Sequence, residues 1–121
     1  MKTHKDLDVW KLSFDLVTEL YKLLAGFPDE EKFGLVSQMK RCALSIPSNI
    51  AEGAGRASEK EFLHFLSISL GSLLELETQL IISERLGFVT SEISAGINEK
   101  IIMIRRMLLG LKKSLKTVKN D

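Results

Sequence analysis

Apolar residues recur three and four positions apart along nearly the whole chain. That spacing puts them on one face of a helix turning by about 100° per residue. The first such stretch runs from about Asp6 to Ala25, with Asp6 or Asp8 as the expected cap. Its polar arc is narrow: Lys11, Asp15, Thr18, Glu19 and Lys22. Leu7, Val9, Trp10, Leu12, Phe14, Leu16, Val17, Leu20, Tyr21, Leu23 and Leu24 fill the rest. One bundle face needs less apolar surface than this, so a second contact is expected, such as another subunit. Gly26 and Pro28 close the stretch. The acidic run Asp29-Glu30-Glu31 suits a helix start and reads as a turn over Asp29–Phe33 leading into the second helix.

In the second helix Leu35, Val36, Met39, Cys42, Ala43, Ile46, Ile50 and Ala54 share an arc. A polar stripe runs beside it: Gln38, Arg41, Ser45, Ser48, Asn49 and Glu52. Rows of amides and hydroxyls at this spacing suggest a face packed against other polar groups and largely out of water. Pro47 lacks an amide donor and predicts a kink there, or a break and restart. Gly53 and Gly55 are the expected stop.

The third helix opens on a capping box, Ser58 and Glu61, and should reach about Leu86. Phe62, Leu66, Ser69, Leu73, Leu76 and Leu80 form its seam, widened by Leu63, Leu70, Leu74 and Ile81. The small residues Ser67, Ser69, Gly71 and Ser72 let a neighbouring helix come close. Glu75 falls on the polar side. Glu77 lies about 60° from the seam, inside the apolar arc, where a carboxylate needs a partner. Arg41 is the expected one. Gly87 ends this helix, and Thr90 or Ser91 caps a fourth running from about Glu92 to Lys116. Its stripe is Ile93, Ile97, Ile101, Ile104, Met107, Leu108, Leu111 and Leu115. Four helices joined by short turns predict an all-α, antiparallel up-down-up-down four-helix bundle, one domain over residues 1–121. No strand alternation, internal repeat or low-complexity run competes.

Several segments also resemble a known family. Arg41–Arg56, RCALSIPSNIAEGAGR, looks like the signature of the proteins encoded in intervening sequences of bacterial 23S ribosomal RNA genes. DLDVW at Asp6–Trp10, FPDEEKFGL at Phe27–Leu35, FLHFLSISLGSLLELETQL at Phe62–Leu80 and ERLGFV at Glu84–Val89 follow in the family's order. The resemblance spans roughly Asp6 through Met107. Members are similar in fold to the accessory protein of diversity-generating retroelements. The resemblance implies four helices, a homopentameric ring, a role with nucleic acid and no known enzyme activity.

Composition changes the picture at three points. The chain of 121 residues is long enough for its own core. No run of eighteen apolar residues reads as a membrane span, and the first residues do not read as a signal peptide. The single cysteine, Cys42, sits on the apolar arc and reads as a buried structural thiol. The expectation from these features is a cytoplasmic protein with no membrane partner. Charge is uneven: residues 1–99 carry 10 basic and 15 acidic side chains, residues 100–121 carry 7 basic and 1 acidic. Arg105, Lys112 and Lys116 share one flank of the fourth helix, with Arg106 and Lys113 beside them. Repeated in a ring, this ridge would present a field that phosphate backbones answer to. A solvated flank, favoured by the helix dipole, accounts for the same residues. No stacking aromatic lies on the ridge, so specific single-strand recognition is not indicated.

Catalytic chemistry finds little support. His4 and His64 have no cysteine or carboxylate at ligand spacing, and neither HExxH nor a repeated ExxH occurs, so no metal site and no cofactor are expected. Ser45 and Ser48 lack an evident base. Two functions remain: an RNA- or DNA-binding oligomer, or a protein-interaction adaptor, for example to a reverse transcriptase.

Overall fold

The computed structural model describes residues 3–120 and, within that span, every side chain except those of Asp6 and residues 116–120. It is an all-α bundle of four helices: α1 Asp8–Leu24, α2 Leu35–Ala54, α3 Glu59–Arg85 and α4 Ser91–Asn120. Short 3-10 turns, His4–Asp6 and Asp29–Glu31, precede α1 and α2. Each helix packs on two neighbours, in the cyclic order α1, α2, α3, α4, and the α2–α3 contact is the most extensive.

The buried residues form one cluster. Leu16 and Leu20 from α1, Met39, Ile46 and Ile50 from α2, Leu66, Leu73, Leu76 and Leu80 from α3, and Ile101, Ile104 and Leu108 from α4 are its largest sealed side chains. These are the positions that helical spacing assigned to the core. Across α1 and α2 the Lys40 ammonium also sits over the Tyr21 ring, 4.9 Å from its centre.

Local signals account for most helix ends. The Ser58 hydroxyl accepts the Glu61 amide at 3.1 Å and starts α3. Thr90 does the same for Ile93 at 3.2 Å and starts α4. At the end of α3 Gly87 takes φ +81°. The Gly87 amide donates to the Glu84 carbonyl at 3.0 Å and the Phe88 amide to that of Ser83 at 2.9 Å, a Schellman motif. A Cβ on Gly87 would meet nothing within 4 Å, so only backbone conformation restricts this position. Gly87→Ala is therefore expected to cost about 1–2 kcal/mol by urea denaturation, and Gly87→Asn less, since asparagine tolerates the left-handed region.

Three expectations about helix ends need correction. Leu7, in extended conformation, occupies the cap position of α1 without a side-chain hydrogen bond; Asp8 is already helical, where its charge still suits the dipole. The Asp6 side chain lies outside those described. Of the kink or break expected at Pro47, the break does not occur: α2 runs as one helix to Ala54, and next to the missing donor the buried Ser69 hydroxyl donates to the Ile46 carbonyl at 2.9 Å. Gly53 does not stop α2 either. It lies within the helix and is buried, because a Cβ there would stand 2.8 Å from Phe65 Cβ and 2.9 Å from Phe62 Cδ1. The residue is glycine because α3 passes too close for anything larger.

Candidate functional site

The α2–α3 seam carries a ladder of polar contacts. Ser83, buried, lies 3.5 Å from the Met39 sulfur. One step along, Cys42 Sγ lies 3.5 Å from Glu75 Oε2. The Ser72 and Ser45 hydroxyls meet at 2.8 Å, and Asn49 Nδ2 donates to the Ser45 hydroxyl at 2.9 Å and the Ser45 carbonyl at 2.8 Å. Residue numbers rise on one helix as they fall on the other, as antiparallel packing requires. The polar stripe of α2 is thus packed only in its middle. Ser45 and Asn49 are half-buried, whereas Gln38, Arg41, Ser48 and Glu52 are exposed. The stripe is wider than the seam, so its outer members point past α3. Glu52 instead pairs with Arg56 on its own helix at 3.4 Å.

The proposed Arg41–Glu77 pair does not form. The ion pairs among the described residues are Glu52–Arg56 and Glu19–Lys100, the latter joining α1 to α4 at 2.6 Å. The carboxylate that reaches the α2 side is Glu75, whose oxygen lies at Cys42. Glu77, half-buried, lines a pocket toward α4 with Ser94 and Asn98. The helical wheel placed Glu77 inside the apolar arc but did not say which neighbour that side of α3 faces.

Cys42 is 6% exposed. Burial pushes its thiol up, and the hydrogen bond and negative charge of Glu75 add to the effect; Gln79 and Arg41 oppose it. The group is held as a neutral thiol, the opposite of an activated nucleophile. The side-chain oxygen Oε1 of Gln79 is buried without a hydrogen-bond partner among the described residues.

The histidines stay apart from any ligand set. His4 packs edge-on against Trp10 with ring centres 5.2 Å apart, and His64, exposed, lies similarly against Phe65 at 5.5 Å. Among the described residues no three His, Cys, Asp or Glu side chains come close enough together to hold a metal ion.

On α4, Arg105, Arg106 and Lys113 are exposed and Lys112 is half-buried; the Lys116 side chain lies outside those described. Arg105, Arg106 and Lys112 pair with no carboxylate among the described residues. At the other end of the helix Ile93, expected in the core stripe, is 48% exposed. It lines an open groove of about 630 Å³ between α1 and α4 with Lys22, Leu23 and Gly96. Glycine at 96 leaves the groove unfilled, since a Cβ there would meet nothing within 4 Å.

Apolar surface exceeds what the core uses. Phe14 on α1 is 53% exposed, and Leu44 on α2 is also exposed. Leu74 and Ile81 make an exposed stripe on α3, and Ile102 and Leu109 make another on α4. α3 is long and apolar enough, by length and composition alone, to cross a membrane. Its seam instead packs against α2 and α4, and the surplus lies on its outer faces.

A bundle of four antiparallel helices with a polar α2–α3 seam and an uncovered apolar exterior defines a helical-bundle protein. The chain belongs to the 23S rRNA-intervening sequence protein family, whose model matches residues 5–110. It is similar to a protein of unknown function from the S23 ribosomal protein family of Bacteroides thetaiotaomicron, known from its crystal structure. The two are 27% identical, with a TM-score of 0.81 over 87% of this chain and 95% of the other. No curated protein matches the chain.

Proposed function

We propose that this is a non-enzymatic, homo-oligomeric protein that binds ribosomal RNA or another nucleic acid through the basic flank of α4. The observation that carries the reading is the group Arg105, Arg106, Lys112 and Lys113: mostly exposed, close together on one helix, in a chain whose remaining residues are net acidic. Membership of a family named for an intervening sequence in 23S rRNA supports it. Contacts of this kind go mainly to phosphates and read little sequence.

Self-association is the second half of the reading. Exposed apolar residues lie on all four helices, Phe14 on α1, Leu44 on α2, Leu74 and Ile81 on α3 and Ile102 and Leu109 on α4, surface that suits contact with identical copies. A pentamer is the expected state. Light scattering at micromolar concentration tests it, and a monomer mass would remove this half.

Filter binding at two salt concentrations tests the first half. The Arg105→Gln/Lys112→Gln/Lys116→Gln variant should keep its helicity and assembly, because the ridge lies beside the apolar stripe. It should bind RNA and DNA more weakly at every sequence, and the dependence of log K on log salt should flatten by about three for duplex. If the wild type does not bind at physiological salt, or the variant binds equally well, the adaptor reading takes its place.

A further inference from the structure

Between the C-terminal half of α3 and the first turns of α4 lies a pocket of about 270 Å³. Glu77 and Glu84 line it from α3, and Ser91, Ser94 and Asn98 from α4. Leu80 and Ile81 supply an apolar wall. Glu77 is half-buried and Glu84 exposed, and neither carboxylate pairs with a cation among the described residues. The second observation concerns Ser94. It is only 6% exposed, lines this pocket, and its hydroxyl makes no hydrogen bond among the described residues, although its backbone amide is tied to the Thr90 carbonyl at 2.9 Å. Other helical hydroxyls here, such as Ser67 and Ser83, bond back to the carbonyl four residues earlier. That of Ser94 does not.

We propose that this pocket is a binding site for an organic cation, an alkyl guanidinium or alkyl ammonium group. The carboxylates supply charge and acceptors. Ser94 and the Asn98 carbonyl oxygen supply neutral acceptors on the facing wall, and Leu80 and Ile81 receive the methylenes. A guanidinium suits it best, since its five N–H donors fan out in one plane and reach acceptors on two walls together. Among the described residues no three His, Cys, Asp or Glu side chains gather there. The pocket lies on the first turns of α4, apart from the basic flank proposed for nucleic acid.

The cation has two possible sources: a free polyamine-like molecule, or a basic side chain of a second copy, whose α4 carries Arg105, Arg106, Lys112 and Lys113. NMR titration of the ¹⁵N-labelled chain with agmatine, against sodium chloride at matched ionic strength, separates them when read beside light scattering. Saturable shifts at the amides of Glu77, Glu84, Ser94 and Asn98, absent from the salt control, support the site. Glu84→Gln, an exposed change with little bearing on folding, should weaken agmatine binding by about tenfold, and Ser94→Ala by several-fold. If agmatine instead dissociates an oligomer, and Glu84→Gln dissociates it without agmatine, the second copy is the source. Shifts no larger than the salt control with the oligomer unchanged, or equal affinity in Glu84→Gln, would overturn the proposal.

Discussion

Leu76→Ala should cost about 2–5 kcal/mol of unfolding free energy, enough to remove a large part of the stability of a domain this size. Leu76 is fully sealed near the middle of α3, on the helix that faces both α2 and α4. Truncation removes the transfer energy of the side chain and leaves a cavity that helices on both sides must collapse to fill. Ile81 makes a useful contrast. It is 51% exposed, so Ile81→Ala should leave the unfolding free energy of the isolated chain within about 0.5 kcal/mol of wild type. If a second subunit covers that stripe, its effect will appear in the oligomer mass instead. Urea denaturation of both variants checks the first claim. A cost below about 1 kcal/mol at Leu76 would mean that the α3 seam is not the packed centre described here.

Gly53→Ala is a sharper case, because two effects oppose each other. In a free helix this change stabilises by roughly 1 kcal/mol. Here the added methyl would meet Phe65 Cβ at 2.8 Å, Phe62 Cδ1 at 2.9 Å and the Phe62 carbonyl oxygen at 3.3 Å. Cβ and carbonyl atoms cannot swing aside as the end of a side chain does, so α2 and α3 must separate. Overpacking of this kind costs about 1–3 kcal/mol, and the net change should be a loss. Thermal unfolding monitored by circular dichroism measures it; a raised midpoint would show that the crossing of α2 and α3 has slack.

The same position shows what the sequence withheld. Ser58, Thr90 and Gly87 were readable as helix boundaries because the groups they satisfy lie within a few residues. The core was readable because burial follows helical period. Gly53 looked like a stop because a glycine near a helix end usually is one. Only the distance to Phe62 and Phe65 reveals the other reason, and that distance depends on how two helices cross. The expected pairing of Glu77 with Arg41 failed for a related cause. The wheel gives an angle around α3, while the neighbour at that angle is set by the order of helices round the bundle. The α3–α4 pocket was missed entirely, although Ser91, Ser94 and Asn98 recur at helical spacing. That spacing is the signal the sequence carries for it.

The polar ladder between α2 and α3 also bears on how the chain folds. Its cross-helix contacts join residues 23, 27, 33 and 44 positions apart, across a connection of only four residues, 55–58. The entropy lost in closing a loop grows only slowly with its length, and contacts between helices adjacent in sequence are the least expensive non-local ones to make. The α2–α3 hairpin therefore has the shortest search and the largest reward of any helix pair. It is a natural nucleus onto which α1 and α4 dock from either end of the chain.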